Sequence, residues 1–184
     1  LEVQGWNSEC RDALYQSAKQ PLSFSGETAL VTGASPGSIA VECVRHLLRG
    51  GARVVVTTST YNGERIRFYR SLYEQEAAPG AELHLVPFNQ SSFQDVESLV
   101  EWLFSSVQEQ NGADIRILKR PFSPSLLLPF AAVKDLGTLD NLGPRSNVVI
   151  RAMLLSVERM IAGIASRYIE RGLPALPCHV VLPL

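Results

Sequence analysis

Residues 29–48 read ALVTGASPGSIAVECVRHLL, and this stretch decides the fold. Upstream of its glycines, residues 28–32 form a short β-rich run. Downstream, Ile39, Val41, Val44, Leu47 and Leu48 recur at helical spacing until Gly50 and Gly51 stop the helix. Between them, Gly33 lets the chain turn sharply off the strand, and Gly37 lets backbone approach a pyrophosphate. A helix that starts near Ser38 then aims free N–H groups at the anion. Ala40 is small, as close packing of helix on sheet requires. The loop has the parts of a dinucleotide site, although glycine-rich turns also close strand-to-helix junctions that bind nothing.

Working outward, the alternation repeats. Residues 52–59, ARVVVTTS, contain a continuous apolar strand of the kind buried on both faces of a parallel sheet. A helix is expected over 63–78, a strand over 81–88, and an amphipathic helix over 92–110, closed by Asn111 and Gly112. PSLLLPFAA (124–132) supplies a fourth strand, residues 146–172 the longest helix, and CHVVLPL (178–184) a fifth strand read as central and buried. Five strands alternating with helices predict an α/β fold, a doubly wound, Rossmann-like parallel sheet. Residues 113–124 and 133–146 are expected as surface excursions, the second beside the carboxyl end of a strand, where such sheets bind ligands. Residues 1–23 read as a linker with a short polar helix over 8–20, leading into a domain over 24–184. A central strand at Leu184 would leave a bare apolar edge, so the domain is expected to be truncated after its fifth strand.

The bulk composition sets limits. With 184 residues, 46% of them hydrophobic, and a formal net charge of -1, the chain describes one globular domain with an apolar core. No basic run suggests a nucleic-acid surface. Cys10, Cys43 and Cys178 are far apart, with no His at ligand spacing, and read as reduced thiols without a metal. No apolar run approaches the roughly 20 residues that span a bilayer. The first residues, LEVQGWNSECRDALYQ, lack the layout of a signal peptide, so a cytoplasmic piece of a longer protein is expected.

The second strand bears on which nucleotide is held. An NAD site places Asp or Glu about 20 residues after the loop, to accept from the ribose hydroxyls. Here Thr57, Thr58, Ser59 and Thr60 stand in that place, followed by Arg65 and Arg67. Hydroxyls and guanidinium groups suit a 2′-phosphate that a carboxylate would repel, so NADP(H) is favoured. Ordinary β-propensity and a solvated helix face account for the same residues. Asn89 and Gln90, after the third strand, are placed to meet an adenine edge, or to lie in a turn before a helix capped by Ser91 or Ser92. Ala131 and Ala132 are small enough for a nicotinamide ribose to lie against the backbone, or for a tight turn.

With these blocks in order, the chain resembles the ketoacyl reductase region of the type I fatty acid synthases of fungi and mycobacteria, within the short-chain dehydrogenase/reductase superfamily. The likeness runs from about Phe24 to Leu184 and rests on VTGASPGSIA, GGARVVVTTS, YRSLY, VPFNQSSFQDVESLVEW, LLLPFAA and HVVLPL. LKRPFSPSLLLPFAA resembles the bacterial type more than the fungal one. The resemblance implies reduction of a β-ketoacyl group on an acyl carrier protein by NADPH, within a large oligomeric, multidomain synthase. It implies cofactor contacts at Gly33, Ser35, Gly37, Ser38 and Ile39, at Thr58 and Ser59, and around Phe130 and Ala131. A non-catalytic reductase-like module and, more weakly, an enoyl reductase are the alternatives.

A reductase of this superfamily uses a Ser to hold the ketone, a Tyr to donate the proton, and a Lys to bind the ribose and lower the Tyr pKa. That tuning is needed because an unperturbed Tyr titrates near pH 10. In the family the Ser follows the fifth strand and the Tyr and Lys lie on the next helix, so all three are expected beyond Leu184. Tyr15 and Lys19 have the family spacing but precede the first strand, which makes a chance pair the better account. Ser156 stands near where many of these reductases place an Asn. No catalytic residue is assigned within the chain.

Overall fold

The computed structural model describes residues 11–13, 15, 22–111, 114–135, 140, 143–173 and 178–183. In chain order the main elements are β1 (Thr28–Thr32), α1 (Ile39–Arg49), β2 (Arg53–Thr58), α2 (Gly63–Glu76), β3 (Glu82–Pro87) and α3 (Phe93–Phe104). There follow β4 (Val107–Asn111), β5 (Asp114–Lys119), β6 (Leu126–Pro129), α4 (Ser146–Ile150), a π-helical turn (Arg151–Leu155), α5 (Ser156–Glu170) and β7 (His179–Val180).

Five strands form one sheet in the order β3-β2-β1-β6-β7, with every neighbouring pair parallel. Strand order therefore reverses at β1, the place where open α/β sheets bind ligands. Because side chains alternate across a strand, β1 and β2 feed two cores. Ala29, Val31, Val54 and Val56 face α1 and α2, where Val41, Val44, Leu48 and Leu72 meet them. Leu30 and Val55 face the opposite layer, with Leu99, Leu103, Met160 and Ile164 from α3 and α5. Each such Val, Leu, Ile or Met side chain, removed from water, contributes roughly 1.5–3 kcal/mol. Burial on both faces explains why β1 and β2 read as unbroken apolar runs.

Three expectations are corrected. The helix expected over 92–110 ends at Phe104, and residues 107–111 instead pair antiparallel with 114–119 in a two-stranded hairpin. The reason is a long-range cap. Lys119 Nζ, from the hairpin, reaches the carbonyls of Trp102 and Ser105 and stands 4.5 Å from the centre of the Trp102 ring. The last carbonyls of a helix lack intrahelical donors, and here a lysine 17 residues away supplies them. The segment 113–124, expected as an irregular excursion, thus contains half of that hairpin.

The longest helix covers the expected span but is interrupted by the π turn. As truncation after the fifth strand was expected to leave its far edge bare, that strand, β7, is two paired residues at the sheet edge among the described residues. His179 is exposed and Val180 half-buried there, because only β6 pairs with them. Of the helix expected over 8–20, residues 11–13 and 15 are helical; the remainder, with Cys10 and Lys19, lies outside the described residues.

Candidate functional site

A cleft of about 170 Å³ opens at the carboxyl ends of β1, β2, β3 and β6. Gly33 and Ser35 form one wall, Thr58, Ser59 and Arg65 a second, and Asn89 and Gln90 a third; Ala131 and Ala152 close it. The volume is below the roughly 300–1,000 Å³ of whole small-molecule sites. A larger groove of about 710 Å³ runs beside β3 between α2 and the hairpin. It lies along the sheet edge, with Arg53 and Glu82 from the opposite strand ends in its lining, and not at the switch point.

Gly33 is required twice over. Its φ is +74°, and a Cβ built on it would lie 2.4 Å from the backbone nitrogen of Ala131. The loop therefore packs backbone to backbone on the end of β6, where Ala131 N also donates to Thr32 Oγ1 at 3.2 Å. Gly37, φ +80°, has open space where a side chain would project. Ser38 caps α1, its Oγ accepting from Val41 N, and so begins the helix where the sequence placed it. Tyr69 reaches from α2 to donate its hydroxyl to Ala34 O. Burial pushes the Tyr69 hydroxyl up to about 12, so it remains a donor at any physiological pH.

At the end of β2, Thr58 Oγ1 donates to Thr60 O and accepts from Thr60 N, which spends that hydroxyl within its own turn. Ser59, Thr60 and Arg65 remain as polar groups at this corner. After β3, Asn89 Oδ1 accepts from Ser91 N, and Ser92 caps α3 through Asp95 N, which decides between the two caps considered from sequence. Asp95 in turn accepts from Asn89 N. The Gln90 side chain turns inward, its nitrogen bonded to the carbonyls of Ala131 and Ala152, and does not present that nitrogen to an adenine edge.

Gly33, Ser35, Thr58, Ser59, Asn89 and Ala131 are thus gathered around one cleft. Gly37, Ser38 and Ile39 sit outside its lining, in the loop and the first turn of α1, with Ile39 75% exposed. Phe130 packs half-buried against the core of the α1 and α2 layer. Arg67 lies outside the lining as well. Sequence patterns missed Ala152, which only the π turn brings to the cleft, and the role of Tyr69, 35 residues from its acceptor. Ser156 is fully buried, its Oγ without a hydrogen-bond partner among the described residues. No cluster of metal-ligating side chains and no helix long and apolar enough to cross a membrane occurs among the described residues.

A parallel sheet reversing at β1, with a glycine-rich loop at the reversal, is the fold of the short-chain dehydrogenase/reductases. It matches a short-chain dehydrogenase/reductase from Serratia marcescens with a TM-score of 0.59 and 20% identity, covering 80% of this chain and 52% of that one. The L-sorbose reductase of Gluconobacter frateurii, solved with NADPH and L-sorbose, matches with a TM-score of 0.57 and 19% identity over 80% of this chain and 51% of its own.

The sequence relatives are fatty acid synthases. The chain is 39% identical over 172 residues to fatty acid synthase 2 of Mycosarcoma maydis, covering 93% of the chain and 4% of that protein. To the fatty acid synthase subunit alpha of Cochliobolus carbonum it is 38% identical over 163 residues, covering 88% of the chain and 10% of the subunit. The Schizosaccharomyces pombe subunit alpha is 37% identical over 174 residues, with 94% and 9% covered. The chain thus aligns with one segment of these relatives and spans a tenth or less of their length. No protein-family model matches it.

Proposed function

We propose that the chain is the NADPH-binding part, over residues 24–184, of a β-ketoacyl-[acyl-carrier-protein] reductase region in a cytoplasmic, multidomain fatty acid synthase. The observation that carries this is the charge of the cleft: among the described residues its lining holds Arg65 and no carboxylate. An acid in that wall would select ribose hydroxyls; a guanidinium and hydroxyls suit a 2′-phosphate. The residues present therefore fit an anionic dinucleotide. Backbone N–H groups at the head of α1 would face its pyrophosphate, Ser59 and Arg65 would hold the 2′-phosphate, and Ala131 would let the nicotinamide ribose lie close. Ile39, exposed at the head of α1, would be covered by a cofactor lying along the loop.

Bound NADPH supplies the hydride. The Ser, Tyr and Lys that hold the ketone and give the proton come, on this proposal, from residues outside these 184. That accords with the chain covering about half of the dehydrogenase structures it matches. The acyl chain arrives on a tethered carrier protein, whose effective concentration the assembly raises.

Fluorescence titration of the synthase bearing this segment tests the proposal, with NADH as control. NADPH is expected to bind more tightly than NADH, and Gly37→Trp to abolish binding by filling the approach to the pyrophosphate. A synthase whose ketoreduction survives while this segment binds neither nucleotide would leave a scaffold role instead.

A further inference from the structure

Gln90 follows β3, lines the cleft and is only 7% exposed. Its Nε2 donates to the carbonyl of Ala152 at 2.8 Å and to that of Ala131 at 3.4 Å. These acceptors belong to two other walls: Ala131 follows β6, and Ala152 lies in the π turn. One amide group therefore ties together the ends of two strands and a helix, all of which line the same cleft.

The helix leaves α register beside the Ala152 carbonyl. Ser156 N–H bonds to Arg151 O, five residues back, and not to Ala152 O, four back. A π turn departs in this way from the α-helical ladder, and such turns concentrate at functional sites. The orientation of the amide follows, because reversing it would set Oε1 against two carbonyl oxygens. Oε1 is left buried with no partner among the described residues. An unmet buried acceptor is costly, so the amide is held by its donor side alone.

We propose that Gln90 is the positioning residue of the nucleotide cleft: through Nε2 it holds the π turn and the end of β6 at the separation the cofactor requires. The inference rests on the NADPH assignment above. Without that donor, Ala152 O regains a partner if Ser156 N–H returns to it and the helix rewinds to α register. Rewinding by one residue turns the preceding segment by about 100° and shifts it about 1.5 Å along the axis, which withdraws Ala152 from the wall.

Two variants in the full synthase, read by NADPH fluorescence titration at pH 5.5 and 8, test it. Gln90→Leu keeps the bulk and removes the donor; it is expected to weaken binding at least tenfold at both pH values. Gln90→Glu regains one O–H donor when protonated, and is expected to bind at least threefold more tightly than Gln90→Leu at pH 5.5, with the advantage shrinking by pH 8. The charged residues on adjoining elements, Arg65, Asp95 and Arg151, are common to all forms, so the ratio of variant to wild type isolates position 90. Wild-type-like binding by Gln90→Leu, or a Gln90→Glu no better than Gln90→Leu at pH 5.5, overturns the inference while the cofactor assignment stands. A wild type that binds no nucleotide overturns both.

Discussion

The Tyr69 hydroxyl donates to the carbonyl of Ala34, and in doing so pins the glycine-rich loop to α2. The pair joins a side chain in the middle of one helix to the loop backbone that precedes another. Tyr69→Phe removes the donor and leaves a carbonyl in a buried setting unmet, at a cost of about 1–3 kcal/mol. A lowered melting temperature together with weaker NADPH binding is the expected result. A variant that loses neither would mean that the loop is held by Gly33 and Ser38 alone.

The same hydroxyl makes stability fall with alkaline pH. Burial raises Tyr69 from 10 to about 12 in the folded chain. Between those values the folded state keeps a proton that the unfolded state has released. Its contribution is therefore complete below pH 10 and is lost progressively as pH rises toward 12, by up to about 3 kcal/mol. Denaturant titrations of wild type and Tyr69→Phe across this range should show the slope in the first and its reduction in the second.

Gly33 and Gly80 separate conformation from close approach. Both have φ between +70° and +90°, but only Gly33 has backbone atoms within reach of an added Cβ. Gly80→Ala carries the left-handed penalty, about 1–2 kcal/mol. Gly33→Ala carries that penalty and must also push the end of β6 away. Equilibrium unfolding should rank Gly33→Ala clearly below Gly80→Ala; equal losses would show that the loop can back off from Ala131 without cost.

Arg65 lines the cleft and Arg67 does not. If Arg65 meets the 2′-phosphate, Arg65→Gln should weaken NADPH binding by roughly tenfold to a hundredfold, the range of a charge-assisted hydrogen bond. NADH binding should change little, and Arg67→Gln should leave both nucleotides within about twofold. Equal losses for NADPH and NADH in Arg65→Gln would place the guanidinium away from the phosphate.

Lys119→Met keeps the apolar stem and removes the ammonium that caps α3. The carbonyls of Trp102 and Ser105 then lose a charged donor, worth about 1.5–3 kcal/mol. Hydrogen exchange should quicken in β4 and β5 first, since a two-stranded hairpin is marginal by itself. Unchanged protection there would assign the hairpin's stability to its cross-strand pairing.

Much of this molecule was legible as local period. The unbroken apolar runs of β1 and β2, the spacing of Val41, Val44 and Leu48 in α1, and the glycines between them specify strand, turn and helix within a few residues of chain. A sequence of such units leaves few arrangements other than a doubly wound parallel sheet. The gathering of Gly33, Ser35, Thr58, Ser59, Asn89 and Ala131 around one cleft follows from that topology, because each sits where a strand ends.

What local period cannot carry is a partner far along the chain. The pattern of 92–110 has nothing in it that stops a helix at Phe104; the lysine that does so is in β5. The pattern of 146–172 likewise does not announce a π turn, since the group that takes up the Ala152 carbonyl is Gln90, 62 residues earlier. The sequence by itself determined the sheet, its layers and the place of the loop, all of which depend on neighbours in the chain. Only the tertiary structure decided where helices end, which strands lie at an edge, and how the walls of the cleft are tied, because each depends on unmet backbone groups finding donors across space.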